Sequence, residues 1–200
     1  MDNKNKNAID IYNLIAKDYA AKFDQIESED DLKFDNIFLS HLKLGSNILD
    51  LGCGTGFSTD YFIQKGMKSQ GIDLSTSMID IAKKNYPKLT FLVADMRVFK
   101  PSEMMDAVWA GYSLFHFEQI YLEQTIENIK SYLRPHGILG LVIQGGSGEI
   151  ESREPFLPEK TIYIHLYTKE EMIEILTIHG FEVIGSSINK AADFEFPYEG

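Results

Sequence analysis

The chain has 200 residues, of which 44% are hydrophobic and 24% charged, a composition that excludes a fibrous or intrinsically disordered protein and predicts one globular domain over residues 1–200. Its 30 acidic and 19 basic residues give a formal net charge of −11, which disfavours a nucleic-acid partner. The chain has one cysteine, and its N-terminus is polar and lacks the apolar core of a signal peptide. Its apolar runs are far shorter than the ~20 residues of a membrane span. We therefore expect a cytoplasmic protein without a membrane partner.

Two helical patterns open the chain, and we assign residues 1–44 to an N-terminal helical cap. Apolar side chains recur at three- and four-residue steps from Tyr12 to Phe23, and again from Phe34 to Leu42. The run NILDL at 47–51 then ends in glycines, which is typical of a buried parallel strand.

Strands and helices alternate through the following segment. Further strands are predicted at 69–73, 89–93, 106–110, 138–143 and 181–187, and helices at 58–65, 76–85, 117–133 and 169–178. Repeated βα units predict an α/β fold, a doubly wound, mostly parallel Rossmann-like sheet with helices on both faces. Ligands of such sheets bind beyond the carboxyl ends of the strands, where the strand order reverses.

One segment interrupts this alternation. Residues 162–167 alternate aliphatic with aromatic or polar side chains, which predicts a strand that is either an ordinary edge strand or one wall of a binding pocket. We therefore divide the chain after the cap into a core at 45–144, an insertion over the active site at 145–167, and a C-terminal helix and strand at 168–200.

A glycine-rich loop follows the first strand. Gly52, Gly54 and Gly56 form G-x-G-x-G, which differs from the dinucleotide pattern G-x-G-x-x-G because position 57 is Phe. Asp73 ends the second strand about twenty residues later, where a carboxylate can accept hydrogen bonds from both hydroxyls of a ribose. Together, the loop and the acid predict a nucleoside-binding site.

The ordered motifs resemble those of class I S-adenosylmethionine-dependent methyltransferases, of the small bacterial type with an N-terminal helical cap. These motifs are LDLGCGTG (49–56), GIDLS (71–75), VADM (93–96), DAVWAGYSLFHF (106–117) and LRPHGILGL (133–141). The resemblance covers about residues 8–190. It implies a Rossmann-like methyltransferase sheet with S-adenosylmethionine as cofactor and S-adenosylhomocysteine as product.

The resemblance also assigns residues to the cofactor. The implied cofactor-binding residues are Tyr12, Tyr19, Asp50, Gly52, Gly54, Gly56, Asp73, Leu74, Met78, Asp95, Met96, Ala110 and Phe115. The three glycines would line the methionine part of the cofactor, with Asp50 near its ammonium group. Asp73 would hold the ribose, while Leu74 and Met96 would contact the adenine ring and Asp95 its amine.

The fourth strand and the N-terminal helix would complete the site. Ala110 would contribute a main-chain carbonyl, with Tyr112 and Phe115 facing the methyl-transfer cleft. Tyr12 and Tyr19 would lie over the cofactor. The alternative is that the two tyrosines are an apolar staple between the cap helix and the sheet.

Two residues are candidate catalytic groups, Tyr112 and His116. His116 is either a general base in the cleft or, as we favour, a histidine that packs and hydrogen-bonds at the start of a helix. Tyr112 offers an aromatic face that can stabilise a cation. The five histidines show no metal-ligand spacing, so we expect no metal.

The sequence thus predicts transfer of a methyl group from S-adenosylmethionine to a small-molecule acceptor, with in-line positioning as the main catalytic effect. A transfer-RNA or protein methyltransferase is one alternative, and a non-catalytic S-adenosylmethionine-binding protein is another. The family sheet ends with an antiparallel seventh strand, for which only 193–198 remains, so that strand is short, displaced or missing.

Overall fold

The computed structural model describes residues 3–24 and 32–188. The helices are α1 (Asn3–Phe23), α2 (Lys33–Ser40), α3 (Phe57–Gln64), α4 (Thr76–Asn85), α5 (Gln119–Lys130) and α6 (Lys169–Ile178). The strands are β1 (Asn47–Leu51), β2 (Lys68–Asp73), β3 (Thr90–Val93), β4 (Met105–Gly111), β5 (Leu133–Val142), β6 (Gly148–Glu154) and β7 (Leu157–Leu166). A short 3-10 helix, Leu114–His116, precedes α5.

The central sheet has five parallel strands in the order β3-β2-β1-β4-β5. The chain therefore builds outward from β1 in one direction and then, from β4, in the other. This order confirms the predicted doubly wound sheet, and it places the strand reversal between β1 and β4. The carboxyl ends of these two strands flank the crevice in which such sheets bind ligands.

Successive residues of β1 and β4 point to opposite faces of the sheet, and helices cover both faces. On one face, Leu49 and Val108 belong to a core cluster with side chains of α5 and α6. On the other face, Ile48 and Trp109 pack with side chains of α2 and α3. Burial on both sides explains why these strands are short apolar runs in the sequence.

Strands β6 and β7 form a separate antiparallel hairpin. It confirms the strand predicted at 162–167, which begins earlier, at Leu157. One face of β7, with Ile162 and Ile164, packs in an apolar cluster with Ile11 and Ile15 of α1. The hairpin and the N-terminal helix therefore support each other.

The structure corrects the predicted C-terminal segment. Residues 181–188 form no regular secondary structure, so the strand predicted at 181–187 is absent from the described part of the chain. The residual strand considered at 193–198 lies outside the described residues. Phe181 instead packs beside the large core cluster as a single side chain. Among the described helices, none is long and apolar enough to cross a bilayer.

Strand β5 begins earlier than predicted, at Leu133 rather than at Ile138. A register shift between Met105 and Ala107 of β4 accommodates the extra residues. His136 has a φ of +63°, a left-handed conformation that favours glycine.

Candidate active site

A cavity of about 100 Å³ lies between α1 and the carboxyl ends of the central strands. Ten residues singled out from the sequence line it: Tyr12, Tyr19, Gly52, Gly54, Asp73, Leu74, Met78, Met96, Tyr112 and His116. They come from five separate segments of the chain, which the strand reversal between β1 and β4 brings to one edge of the sheet.

The glycine loop forms the floor of the cavity through backbone conformations that side chains disfavour. Gly52 has a φ of +71°, and a Cβ there would lie 2.3 Å from the Ser113 Cβ. Gly54 has a φ of +52°, and a Cβ there would meet no atom within 4 Å. Close packing therefore requires glycine at position 52, whereas Gly54 leaves open space in front of its backbone.

Gly56 has a different role from the other two glycines. It precedes α3 with a φ of +88°, and a Cβ there would lie 2.7 Å from the Phe91 ring. Gly56 does not line the cavity, so the structure gives it a role in packing the loop against β3.

Asp73 connects the loop to the end of β2. Its carboxylate accepts hydrogen bonds from the backbone N–H of Gly54 at 3.0 Å and of Ser75 at 2.8 Å. Burial raises the pKa of Asp73, although these N–H donors oppose the shift. Each carboxylate oxygen accepts one of these bonds and retains a further lone pair for a ligand.

Side-chain hydrogen bonds hold α1 over this floor. The Asn13 Oδ1 accepts from the Ser75 hydroxyl at 2.8 Å and from the Ser77 N–H at 3.0 Å, at the start of α4. At the end of α1, the Thr55 hydroxyl of the glycine loop donates to Asp24. These hydrogen bonds, together with the apolar cluster that α1 shares with β7, close the cavity on the α1 side.

His116 is buried between α1 and β7. Its Nδ1 lies 2.8 Å from the Tyr163 carbonyl oxygen, which only accepts, so Nδ1 carries the proton. The Nε2 is then an acceptor, and the Tyr12 hydroxyl donates to it at 2.9 Å. Burial lowers the pKa of His116 to about 4, so the ring is neutral at pH 7.

Tyr112 follows β4 in a strained conformation. Its φ is +51°, which is unfavourable for a residue with a Cβ, while its N–H donates to the Val142 carbonyl at 2.8 Å. The residue is 43% exposed although it lines the cavity. Strain of this kind persists where the surrounding structure determines it, and it occurs often at functional sites.

Asp50 lies beneath the glycine loop and does not line the cavity. It is 2% exposed and accepts a hydrogen bond from the Thr59 hydroxyl at 2.6 Å. Burial raises its pKa to about 7, partly offset by Thr59. The predicted contact of Asp50 with a ligand ammonium group stays a prediction.

Three other predicted residues also lie outside the cavity wall. Asp95 binds the Arg97 guanidinium through both carboxylate oxygens, at 2.9 and 2.6 Å. Burial opposes ionisation of Asp95, but these hydrogen bonds outweigh it and lower the pKa. Ala110 is fully buried in the core. The predicted orientation of Phe115 toward the cleft needs correction, because its ring packs in the apolar cluster of α1 and β7.

The structure also brings to the cavity residues that the sequence did not single out. They are Asn5, Ala8, Ile9, Gly111, Ser113 and Phe117. The first three precede Tyr12 by seven, four and three residues, so one helical face carries all four. The sequence spacing predicts that these four residues share one face of the helix. It does not predict that this face lies against the cavity.

Residues 48–137 match a family model described as a methyltransferase domain. An uncharacterised methyltransferase of Oceanobacillus iheyensis is 25% identical over 185 residues, covering 88% of this chain and 79% of that protein. Trans-aconitate 2-methyltransferase of Enterobacter sp. strain 638 is 33% identical over 98 residues, which span 48% of this chain and 38% of that enzyme. These similarities identify the chain as an S-adenosylmethionine-dependent methyltransferase, with residues 48–137 matching the methyltransferase domain. Its cofactor is S-adenosylmethionine.

Solved structures of methyltransferases share the fold. A methyltransferase from Methanosarcina mazei superposes with a TM-score of 0.71 at 19% identity, covering 82% of this chain and 92% of that one. Magnesium protoporphyrin IX methyltransferase from Synechocystis PCC 6803, solved with bound S-adenosylmethionine, superposes with a TM-score of 0.69 at 16% identity, covering 100% of this chain and 94% of that one.

The residues of this methyltransferase fit its cofactor at the floor of the cavity. Gly54 leaves open space, and the Asp73 carboxylate beside it supplies hydrogen-bond acceptors for hydroxyl groups. Within residues 3–24 and 32–188, no group of three or more His, Cys, Asp or Glu side chains is arranged to hold a metal ion.

Proposed function

We propose that this methyltransferase transfers the methyl group of S-adenosylmethionine to a small-molecule acceptor that binds beneath α1. The observation that supports a small acceptor is the position of α1, which covers the cavity and is anchored to α4 by Asn13. Two similar proteins are named for small substrates, trans-aconitate and magnesium protoporphyrin IX. The net charge of −11 also disfavours a polyanionic RNA.

We assign the cofactor to the floor of the cavity. Gly52 and Gly54 would face its methionine part, Asp73 its ribose hydroxyls, and Leu74 and Met96 its adenine ring. Met78 and the two tyrosines of α1 would cover it. The core at 45–144 would thus hold the cofactor, while the cap at 1–44 and the insertion at 145–167 would enclose the acceptor. A cytoplasmic location is part of the same proposal.

S-adenosylmethionine supplies an electrophilic methyl carbon on a sulfonium. The protein then has to hold the acceptor atom in line at about 3–3.5 Å and exclude water, and α1 is placed to do both. Aromatic faces at the cavity wall, such as that of Tyr112, are suited to a cationic sulfonium.

The Tyr12–His116 pair is suited to positioning the acceptor. Because Tyr12 donates its proton to His116, its hydroxyl oxygen remains an acceptor for an O–H or N–H of the substrate. A histidine with a pKa of about 4 is a weak base at neutral pH. We therefore assign the pair to orientation of the acceptor rather than to removal of its proton.

Binding of the cofactor requires α1 to move. The cavity of about 100 Å³ is smaller than the ~300–1,000 Å³ of ordinary ligand sites. The helix is held by side-chain hydrogen bonds and by its apolar cluster with β7 rather than by strand pairing, so we infer that it is the element that moves outward.

Binding of S-adenosylhomocysteine to wild-type protein and to Asp73→Ala, measured by calorimetry, tests the cofactor assignment. Loss of the hydrogen bonds that ribose hydroxyls would donate to the carboxylate predicts at least tenfold weaker binding. Asp73→Asn keeps the shape of the side chain and loses its charge, so its affinity for S-adenosylhomocysteine should lie between those of wild type and Asp73→Ala. The matched control is Asp80→Asn at an exposed position of α4, with no change expected. Equal affinity of wild type and Asp73→Ala would contradict the assignment.

Transfer of a labelled methyl group from the cofactor tests the acceptor. We expect label in the small-molecule fraction of a metabolite extract and none in bulk transfer RNA at ~0.15 M salt. Efficient methylation of transfer RNA would overturn the small-acceptor proposal. Tight binding of S-adenosylhomocysteine without label in any fraction would favour a non-catalytic binding protein instead.

A further inference from the structure

A second cavity, of about 300 Å³, lies between α5, α6 and the end of β7. It shares no lining residue with the methyltransferase cavity. Its volume reaches the lower end of the range for small-molecule sites. Neither the cofactor nor the proposed acceptor site uses it.

Three carboxylates line this second cavity: Glu123 from α5, and Glu171 and Glu174 from α6. Among the described residues that line it, none is lysine or arginine. Glu123 accepts from the Gln119 amide at 2.8 Å, and Glu171 accepts from the Thr168 N–H at 2.8 Å in the capping box of α6. These bonds leave further lone pairs on both carboxylates.

A buried hydroxyl without a partner marks the same cavity. Tyr167 lines it and is 3% exposed, and its hydroxyl oxygen has no hydrogen-bond partner among residues 3–24 and 32–188. Desolvation raises the pKa of the Tyr167 hydroxyl. The negative charges of Glu123 and Glu171 raise it further, because both carboxylates act electrostatically on this hydroxyl. A buried hydroxyl without a partner is costly, and a ligand N–H would satisfy it.

Besides the polar side chains of Gln119 and His179, the rest of the wall is aromatic or aliphatic. The His165 ring stacks on Tyr167 at a centroid distance of 4.2 Å and an interplanar angle of 12°. Ile175 of α6, which is 8% exposed, also lines the cavity. An inorganic cation would leave these surfaces without contacts, whereas the methylene chain of an organic ligand would cover them.

We propose that the second cavity binds an aliphatic primary ammonium, as carried by a small diamine. Its N–H groups would donate to Glu123, Glu174 and the Tyr167 hydroxyl oxygen, while its methylene groups would pack against Ile175 and the stacked rings. This site is independent of the proposed methyl transfer.

Calorimetry with 1,4-diaminobutane on the full-length chain tests the proposal, with 1,4-butanediol as the neutral control of equal length. We expect the diamine to bind and the diol not to bind. Tyr167→Phe removes one acceptor and should weaken binding about two- to tenfold without lowering Tm, since that hydroxyl has no partner to lose in the described part of the chain. Glu174→Gln should weaken binding at least as much.

The matched control is Glu159→Gln, which removes one exposed carboxylate on β7 outside the cavity. We expect it to change the affinity less than twofold. Equal losses in Glu159→Gln and Glu174→Gln would mean general charge attraction and would overturn the site, as would binding of the diol or no binding of the diamine. Displacement of the diamine by Mg²⁺ at equal concentration would overturn the organic ligand class. Binding of S-adenosylhomocysteine stays unchanged in all these variants, which separates this test from that of the methyltransferase site.

Discussion

The floor and the cover of the methyltransferase cavity are held by different kinds of contact. The floor, residues 52–56 with Asp73, is fixed by the backbone: the N–H groups of Gly52 and Cys53 donate to the Ile72 carbonyl at 2.8 and 3.0 Å. The cover, α1, is held at the cavity by side chains such as Asn13 and Tyr12. A floor fixed by backbone bonds keeps its shape, whereas a cover held by side chains can move, and the two should respond differently to substitution.

The largest effect is expected at the floor, where alanine replaces glycine. Gly52→Ala combines strain at a φ of +71° with a contact of 2.3 Å to the Ser113 Cβ, so we expect a lower Tm and loss of S-adenosylhomocysteine binding by at least ~100-fold. Gly54→Ala meets no atom within 4 Å, so it should keep the fold and still lose binding, because its methyl group fills open space.

Gly45→Ala provides the control for these two variants, since Gly45 has a φ of +80°, open surroundings and a position outside the cavity. It should lower Tm by a few degrees and leave the affinity unchanged. If Gly54→Ala binds as well as Gly45→Ala does, the loop is not the cofactor floor.

The second effect concerns a charge buried under the floor. The pKa of Asp50 is about 7 in the folded chain and about 3.9 in the unfolded chain. Between these values the folded state retains a proton that the unfolded state has lost, so Asp50 lowers the stability of the protein as the pH rises from 4 to 7. Asp50→Asn should therefore gain stability relative to wild type over this window, by up to roughly 4 kcal/mol.

Denaturant unfolding at pH 5, 6, 7 and 8 measures this gain. The control Asp18→Asn, at an exposed position of α1, should differ from wild type by less than ~0.5 kcal/mol at each pH. A difference between Asp50→Asn and wild type that does not grow with pH would contradict the assignment of a buried, protonated carboxyl.

The third effect concerns the cover, where removing one hydroxyl should change turnover more than stability. Tyr12→Phe loses the hydrogen bond to His116, and we expect a cost of about 1 kcal/mol in stability together with about tenfold slower turnover. Tyr61→Phe loses an equivalent bond to Asn36 at 2.7 Å, away from the cavity, and should lose the same stability with full turnover. Equal turnover in both variants would mean that the Tyr12–His116 pair stabilises the fold and does not position the acceptor.

The smallest effect is expected from loosening the cover. Asn13→Ala removes the bonds to the start of α4, so α1 should open more often and S-adenosylhomocysteine should dissociate a few-fold faster in stopped-flow measurements. Asn7→Ala removes the bond from the same helix to the Thr161 carbonyl and should not change this rate. The same rate change in both variants would mean that α1 has no local contact controlling ligand exit.

Local signals in the sequence predicted the floor well. The helix predicted at 76–85 has those bounds in the structure, and the Ser75 hydroxyl accepts from the Met78 N–H as an N-cap. The alternation of strands and helices predicted the parallel sheet, and the glycine spacing predicted the loop. These features depend on residues close together in the chain, so their pattern is visible without the tertiary structure.

Residues that depend on distant partners were predicted less well. The sequence left His116 open between a base and a packing residue, and its state is set by Tyr163 of β7 and Tyr12 of α1. Phe115 likewise packs with side chains of α1 and β7, which lie far from it in the sequence. The strand predicted at 181–187 has the right composition but no neighbouring strand in the described chain to pair with.

The sequence by itself determined the class of the protein, the order of the strands along the chain, and the residue types at the floor of the cavity. Short-range periodicity, caps and glycine positions carry that information, since each acts within a few residues. Only the tertiary structure decided which face of α1 meets the floor, how far it closes the cavity and how a second, acidic cavity forms between α5, α6 and β7. These depend on packing between segments far apart in sequence, where burial fixes the protonation and hydrogen bonds of each group.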